Sequence, residues 1–162
     1  MTRWAFVAAL ASTPVLAADP YDALKAMDGH WRVTTGTGRS ETVDNACSRT
    51  GLFFVCEETI QGKPTALVVF RPQSHGEPGD RGEGKLAYRV QALTAGADRP
   101  GPWKDLVIDG TTWTISDAEH PGGRKTRTVI THSGPDYMHV EVQAEGKGDA
   151  WAPVSSESFA RR

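Results

Sequence analysis

Apolar and polar residues alternate along most of the chain after residue 30. One clear stretch places Leu86, Tyr88 and Val90 on one face and Arg89 and Gln91 on the other. Because successive side chains of a strand point to opposite faces, this pattern is typical of a strand with one buried and one solvated face. Strands of this kind pair in antiparallel sheets.

Ten segments share this pattern and are bounded by Gly, Pro, Asp or Asn, which favour turns. They cover residues 30–37, 41–48, 52–60, 65–71, 85–93, 103–109, 111–116, 125–132, 137–145 and 150–161. Most connections are short, so no room exists for the crossover helices of a parallel sheet. A long meander with one apolar face removes its exposed edges by closing. The sequence therefore predicts an all-β fold, an antiparallel up-and-down barrel of about ten strands.

One short helix is expected before the first strand. Asp19 can accept backbone N–H groups as its N-cap, and Pro20 suits the first helical position. Gly29 can end it in a left-handed conformation. Leu24 and Met27 then share one apolar face. A helix this short must dock on the rest of the fold to be stable.

The first residues have the features of a secretory signal peptide. Arg3 provides a positive start, residues 4–11 are apolar, and Val15-Leu16-Ala17 fits the small-residue rule for cleavage. A buried N-terminal helix is the alternative, but the charged start and the small residues at the end fit it poorly. The sequence thus predicts a signal peptide at 1–17, a single domain at 18–162, and a periplasmic or secreted location.

Charge and composition exclude some partners. The chain has 18 Lys and Arg, 20 Asp and Glu, and a net charge of −2. Loss of Arg3 with the signal peptide leaves 17 against 20, or −3. This balance gives no reason to expect nucleic acid as a partner. No second long apolar segment follows the leader, so stable membrane insertion is not expected. The oligomeric state is not determined by these features.

The two cysteines, Cys47 and Cys56, are expected to form a disulfide. They lie on consecutive predicted strands, 41–48 and 52–60, where they face each other across a hairpin. An even cysteine count in an exported chain favours a disulfide over two buried thiols. A C-x-x-C motif is absent, so the predicted role is structural.

A G-x-W motif, Gly29-His30-Trp31, follows the predicted helix and opens the first strand. This arrangement resembles that of the lipocalins and calycins, and the overall plan resembles small exported bacterial lipocalin-like proteins. The resemblance implies that Trp31 closes one end of the barrel. It also implies that an arginine near the end of the last strand packs across Trp31 by a cation–π contact. Arg161 and Arg162 are equal candidates on sequence alone.

A narrower resemblance is to the nitrobindin-type haem barrels, since further glycines, Gly36 and Gly38, follow the G-x-W motif. That family binds haem iron through a histidine late in the chain, which here implies His132 or His139. His139 alternates with apolar residues and is expected to point away from their face. His132 has the inward register but ends its strand. Haem is therefore a minor alternative, and no other cofactor is predicted.

No catalytic motif is evident, and neither a nucleophile elbow nor a converging set of metal ligands is present in the sequence. The prediction is a non-enzymatic barrel that binds a small apolar or amphipathic ligand. The candidate lumen lining is Val33, Tyr88, Val90, Trp113, Ile115, Thr128, Met138, Val140 and Val142. The other alternative is a protein-interaction or envelope accessory module whose barrel is filled by side chains.

Overall fold

The computed structural model describes residues 19–73, 85–117, 125–146 and 150–162. The predicted signal peptide, residues 1–17, lies outside these ranges. Within them, no helix is long and apolar enough to span a bilayer.

Ten strands form one closed barrel, which confirms the predicted fold class. The strands are β1 (Gly29–Thr35), β2 (Ser40–Thr50), β3 (Phe53–Ile60), β4 (Lys63–Pro72), β5 (Leu86–Thr94), β6 (Lys104–Asp109), β7 (Thr112–Asp117), β8 (Thr126–His132), β9 (Tyr137–Glu145) and β10 (Trp151–Arg161). Each pairs antiparallel with the next, and β10 pairs with β1 to close the barrel. Every strand lies within two residues of its predicted bounds.

The tight turns explain why consecutive strands pair with each other. Between β3 and β4, Gln61 and Gly62 have φ values of 50° and 75°. Positive φ at both central residues is the requirement of the two-residue hairpin turn whose twist matches that of the flanking strands. Gly110, with a φ of 56°, supplies positive φ at the first central residue of the two-residue turn between β6 and β7.

The N-terminal helix is shorter and tighter than predicted. It is a 3₁₀ helix over Ala23–Met27, preceded by a turn in which the Asp19 carboxylate accepts the N–H of Tyr21 at 3.0 Å. The N–H of Leu24 donates to the carbonyl of Tyr21 at 3.0 Å, the i to i+3 spacing of this helix type. A segment of five residues gains little from helix propensity, so its docking decides its geometry.

The two ends of the barrel differ because the 3₁₀ helix Ala23–Met27 docks at only one of them. The closed end is the one where this helix docks and where the turns at 51–52 and 110–111 lie. The open end is the opposite one, where the turns at 36–39 and 61–62 lie. The largest side chains that are less than 4% exposed form a continuous core with the helix: Tyr21, Leu24, Trp31, Val33, Phe54, Phe70, Tyr88, Leu106, Ile108, Trp113 and Met138.

The predicted disulfide between Cys47 and Cys56 is present. The two residues are directly opposite each other on β2 and β3. Cys56 is buried in the core, and the N–H of Cys47 donates to the Asp28 carboxylate at 2.8 Å. The bridge therefore ties the two strands together beside the segment that leads from the 3₁₀ helix into β1.

Candidate functional site

Along β5, and between residues 138 and 142 of β9, the inward face of the barrel is packed toward the closed end and more exposed toward the open end, whereas Ala144, further along β9, is again buried, at 3%. Along β5, Tyr88 is 0% exposed and Val90 is 7% exposed, whereas Ala92 is an exposed residue. Along β9, Met138 is buried and Val140 is half-buried. Residues of one strand two positions apart share a face, so this gradient lies on the inner wall. Among the described residues, the inward side chains near the open end of β5 and in the middle of β9 are thus less buried than those at the closed end, and this part of the inner wall is the accessible interior.

Directly paired residues of neighbouring strands share a face, so the pairing extends the inner wall around the open end. Its half-buried apolar members are Ile60, Val68, Ile115, Val140 and Val142. Thr128 pairs with both Ile115 and Val142 and adds a hydroxyl to this wall. The arrangement can hold an apolar group and offers few polar contacts.

The predicted lumen residues fall into two groups. Val33, Tyr88, Val90, Trp113 and Met138 belong to the packed core. The hydroxyl of Tyr88 donates to the carbonyl of Pro20, and burial raises the pKa of that hydroxyl to about 12.

The second group lies further along the barrel. Ile115, Thr128, Val140 and Val142 are half-buried on the inner wall near the open end. These four lie nearer the open end than the first five, and two of them, Ile115 and Val140, also pack against the core. The candidate lumen residues did not include Ile60, Val68 or Ala92, whose depth along the barrel depends on how β3, β4 and β5 are staggered.

At the closed end, the guanidinium of Arg161 lies 4.4 Å from the ring centroid of Trp31, its direct partner across β1 and β10. Arg161 also donates to the carbonyls of Asp28, at 2.8 Å, and Ala26, at 3.2 Å. Gly29 has a φ of 118°, and a Cβ at this position would overlap with Nη1 of Arg161. Glycine is required here by this close approach and by the positive φ.

Trp31 is 1% exposed, and its indole N–H donates to the carbonyl of Met27 at 3.1 Å. Arg162 takes part through its backbone, since its N–H donates to the carbonyl of His30 at 3.0 Å. The structure thus distinguishes the two candidate arginines: Arg161 stacks on the indole. These contacts bind the 3₁₀ helix, β1 and β10 to one another and leave no free polar group on Trp31 or its partner for a ligand.

The two candidate haem ligands lie in different surroundings. His132 packs on Trp113 with ring centroids 4.6 Å apart, and its Nε2 is buried without a hydrogen bond. Burial lowers the pKa of His132 because the charged form loses hydration. His139 lies on the outer face, where its Nδ1 is 3.3 Å from the hydroxyl of Ser158. His132 therefore belongs to the packed end and His139 to the outer surface.

Two glutamates that sequence reasoning missed lie beside the accessible interior. Glu41 pairs with Val33, and Glu157 pairs with Thr35, so both have inward register on strands that flank β1. Both are half-buried, and neither forms an ion pair within the described parts of the chain. Lys104, opposite Val90, also has inward register. Alternate residues of β2 and β10 point inward, but because both strands are rich in polar residues, their sequences do not show which residues these are.

Among residues 19–73, 85–117, 125–146 and 150–162, no group of three or more His, Cys, Asp or Glu side chains is arranged to hold a metal ion. The site is thus an apolar interior with hydroxyl and carboxylate groups near its opening. This chemistry allows binding of an organic molecule and includes no nucleophile paired with a base.

Comparisons with known proteins identify no family for this chain. No family model matches it, and no curated protein matches it. A solved structure described as "Crystal Structure of Rv2717c from M. tuberculosis" is similar, with a TM-score of 0.49 and 14% sequence identity. The similarity covers 90% of this chain and 98% of that one. The evidence for a closed ten-stranded barrel is therefore the strand pairing of this chain itself.

Proposed function

We propose that this protein is an exported, non-enzymatic, lipocalin-like barrel that binds a small apolar or amphipathic molecule in its open end. One observation supports this most directly: exposure rises along the inner wall of single strands, from buried Tyr88 to exposed Ala92. A barrel filled by its own side chains would bury both. The accessible interior is therefore available to a ligand.

The chemistry of the wall supports the ligand class. Ile115, Val140 and Val142 are apolar, and burying such surface against an apolar ligand contributes about 25 cal/mol per Å². Thr128 supplies a hydroxyl that can fix the orientation of a ligand. Metal ions and nucleotides fit this wall poorly because its described residues include neither a convergent ligand set nor a basic cluster.

Two features support export. Residues 1–17 have the composition of a signal peptide, and Cys47 and Cys56 form a disulfide, a bond typical of oxidising compartments. We propose a periplasmic or secreted location on this basis. Fractionation of cells that express the full chain, followed by N-terminal sequencing of the purified protein, tests both the location and the cleavage site.

Titration with N-phenyl-1-naphthylamine, a neutral probe that fluoresces in apolar surroundings, tests ligand binding. The wild-type protein should bind it saturably, and Val142→Arg should weaken binding at least tenfold because arginine occupies the interior. Thr131→Arg is the matched control, since Thr131 is exposed on the outer face of β8. This control should bind the probe as the wild type does.

A panel of fatty acids, isoprenoids and haem, read by tryptophan quenching and melting temperature, then identifies the ligand class. A true ligand raises the melting temperature with concentration because it binds only the folded state. If neither the probe nor any panel member binds, the proposal is wrong and an interaction module with a filled barrel is the better description. Binding of haem alone would instead favour the haem barrel.

A further inference from the structure

The wall of the barrel has a notch between β1 and β10. β10 pairs with β9 along almost its whole length, from Trp151 to Ala160, but it pairs with β1 only from Glu157 onward. Beyond that point β1 ends and the chain turns away, with the N–H of Gly36 donating to the carbonyl of Ser156 at 2.8 Å. Within the described ranges, no strand pairs with this side of β10 before Glu157, next to the turn at 36–39.

An irregularity in β10 shapes the notch. The register with β9 shifts between Pro153 and Ser155, which is a β-bulge, and the intervening Val154 is 64% exposed. Proline has no N–H to offer a further strand, and a bulge distorts the edge, so this edge is protected from pairing with another chain. The notch is thus better suited to a small molecule than to an added strand.

A groove with a volume of about 510 Å³ occupies this notch. It is lined by Thr35, Gly36, Thr37, Glu141, Pro153, Val154, Ser155, Ser156 and Glu157. Thr35 and Glu157 have inward register, whereas Glu141 and Ser156 pair with each other on the outer face. Glu157 and Ser155 lie directly opposite Val140 and Val142 in the pairing of β10 with β9, so the groove borders the inner wall as well as the outer surface.

The residues that line the groove include negatively charged side chains and no positively charged one. Among its lining residues are two carboxylates, four hydroxyls and no lysine or arginine. Glu157 forms no ion pair within the described ranges, and Glu41 adds a second inward carboxylate on the other side of β1. Glu141 accepts a hydrogen bond from the amide of Gln143 but, in these ranges, has no cation within ion-pair distance.

We propose that this notch is the head-group subsite of the ligand, and that it takes a protonated amine attached to an apolar body lying in the open end. This inference rests on the proposed function. A cation is favoured because half-buried carboxylates attract it, and an ammonium group can also donate to the hydroxyl of Ser155, whereas that of Thr35 is already bonded to Thr37 and Arg39. A carboxylate or phosphate head would be repelled by Glu157 and Glu41.

Four molecules with the same eight-carbon chain test the proposal at concentrations below micelle formation: octylamine, octanol, octanoate and octyl glucoside. Each competes with N-phenyl-1-naphthylamine for the mature, disulfide-bonded protein at pH 7 and low salt. Octylamine should bind about three- to tenfold more tightly than octanol, the range expected for one partly exposed charge pair. Octanoate should bind more weakly than octanol, and added salt should reduce both differences.

Glu157→Gln separates the head-group subsite from the apolar interior. This variant keeps the size and hydrogen-bonding capacity of the side chain and removes its charge. The preference for octylamine over octanol should fall by about three- to tenfold, with octanol affinity unchanged within twofold. Glu57→Gln is the control, because Glu57 is exposed on β3 and does not line the groove. Melting temperatures of both variants establish that they fold.

The outcomes separate the two proposals. If octanol and the fluorescent probe bind but octylamine has no advantage, or if the advantage persists in Glu157→Gln, the amine subsite is wrong and the open-end proposal stands. If octyl glucoside binds most tightly and loses affinity in Glu157→Gln, the notch takes a polyol instead. If none of the four molecules competes and the probe does not bind, both proposals fail.

Discussion

The closed and open ends of this barrel are formed by the same ten strands. They differ in how deeply the inward side chains are buried and in whether the polar groups among them have partners. At the closed end, Trp31, Tyr88 and Arg161 pack with the 3₁₀ helix, and each polar group has a backbone carbonyl as its partner. At the open end, Val142 is only half-buried, and Glu157 has no ion pair within the described residues. The packing and hydrogen bonds of the closed end thus stabilise the fold. The open end has apolar and carboxylate side chains that are accessible from solvent.

This difference allows a small barrel to combine a packed core with a candidate binding site. A buried polar group without a partner costs about 1–3 kcal/mol, so a well-packed end satisfies most of its polar groups internally, with the buried Nε2 of His132 as an exception. Carboxylates near water do not incur this cost in full, so an accessible end can keep them free. The following predictions test whether the two ends differ in this way.

The largest effect is expected from Trp31→Ala at the closed end. Truncation removes a fully buried indole, its hydrogen bond to Met27 and its contact with Arg161, so the free energy of unfolding should fall by about 3–5 kcal/mol. Urea unfolding followed by circular dichroism measures this. A loss below about 1 kcal/mol would show that the closed end does not carry the stability.

Reduction of the disulfide between Cys47 and Cys56 should have the next largest effect. Cross-linking so short a loop contributes about 2–3 kcal/mol in the chain-entropy model, and urea unfolding with and without reductant should show this difference. The double variant Cys47→Ala/Cys56→Ala should be insensitive to reductant. Two titratable thiols in the denatured, unreduced mature protein would contradict the presence of the bond.

Alkaline pH should destabilise the closed end through Tyr88. The folded pKa of about 12 exceeds the ordinary value of 10.0, so folding favours the protonated hydroxyl. The stabilisation is complete below pH 10 and is lost as the pH rises through 12, a change of about 2 kcal/mol. Stability of the wild type and of Tyr88→Phe across this range isolates the effect, because the variant lacks the titrating group. Identical pH profiles would show that the hydroxyl is not buried.

Mildly acidic pH should have a smaller effect through His132. Burial lowers its pKa below the ordinary 6.5, so folding favours the neutral ring, and its stabilisation is lost as the pH falls through the folded pKa. His132→Gln should flatten the stability profile below pH 6.5. His139→Gln, on the outer face, is the control and should keep the wild-type slope. An unchanged slope in His132→Gln would contradict the burial of His132.

The smallest effect is expected at the open end. Val142→Ala removes a side chain that is already half-exposed, so the free energy of unfolding should fall by less than about 1 kcal/mol. Met138→Ala, two positions earlier on β9 but buried in the core, should cost about 2–5 kcal/mol. Equal losses at the two positions would remove the distinction between the ends.

Much of this architecture follows from local patterns. Alternation with a period of two and the Gly-containing turns were enough to predict ten antiparallel strands within two residues of their bounds. The facing positions of Cys47 and Cys56 were likewise visible in the hairpin. The helix was predicted too long, because a five-residue segment takes its geometry from docking contacts that no local pattern contains.

The accessible part of the interior could not be predicted from the same patterns. Tyr88, Val90 and Ala92 share one face of β5 in the sequence, yet they differ from fully buried to exposed. Their depth depends on the stagger of each strand against its neighbours and on which end the 3₁₀ helix covers. The candidate lumen residues therefore combined core and open-end positions. Glu157 was not among them because β10 has polar residues on both of its faces around this position, so its sequence does not show which face points inward.

The sequence by itself determined which residues form strands, where the chain turns, and which face points inward in the strands that alternate apolar with polar residues. These properties depend on side-chain period and turn chemistry, both of which act over a few residues. The tertiary structure decided which end is packed, which arginine stacks on Trp31, and where the wall is left open beside β10. These depend on register and closure, because only a closed barrel sets residues distant in the chain at the same depth.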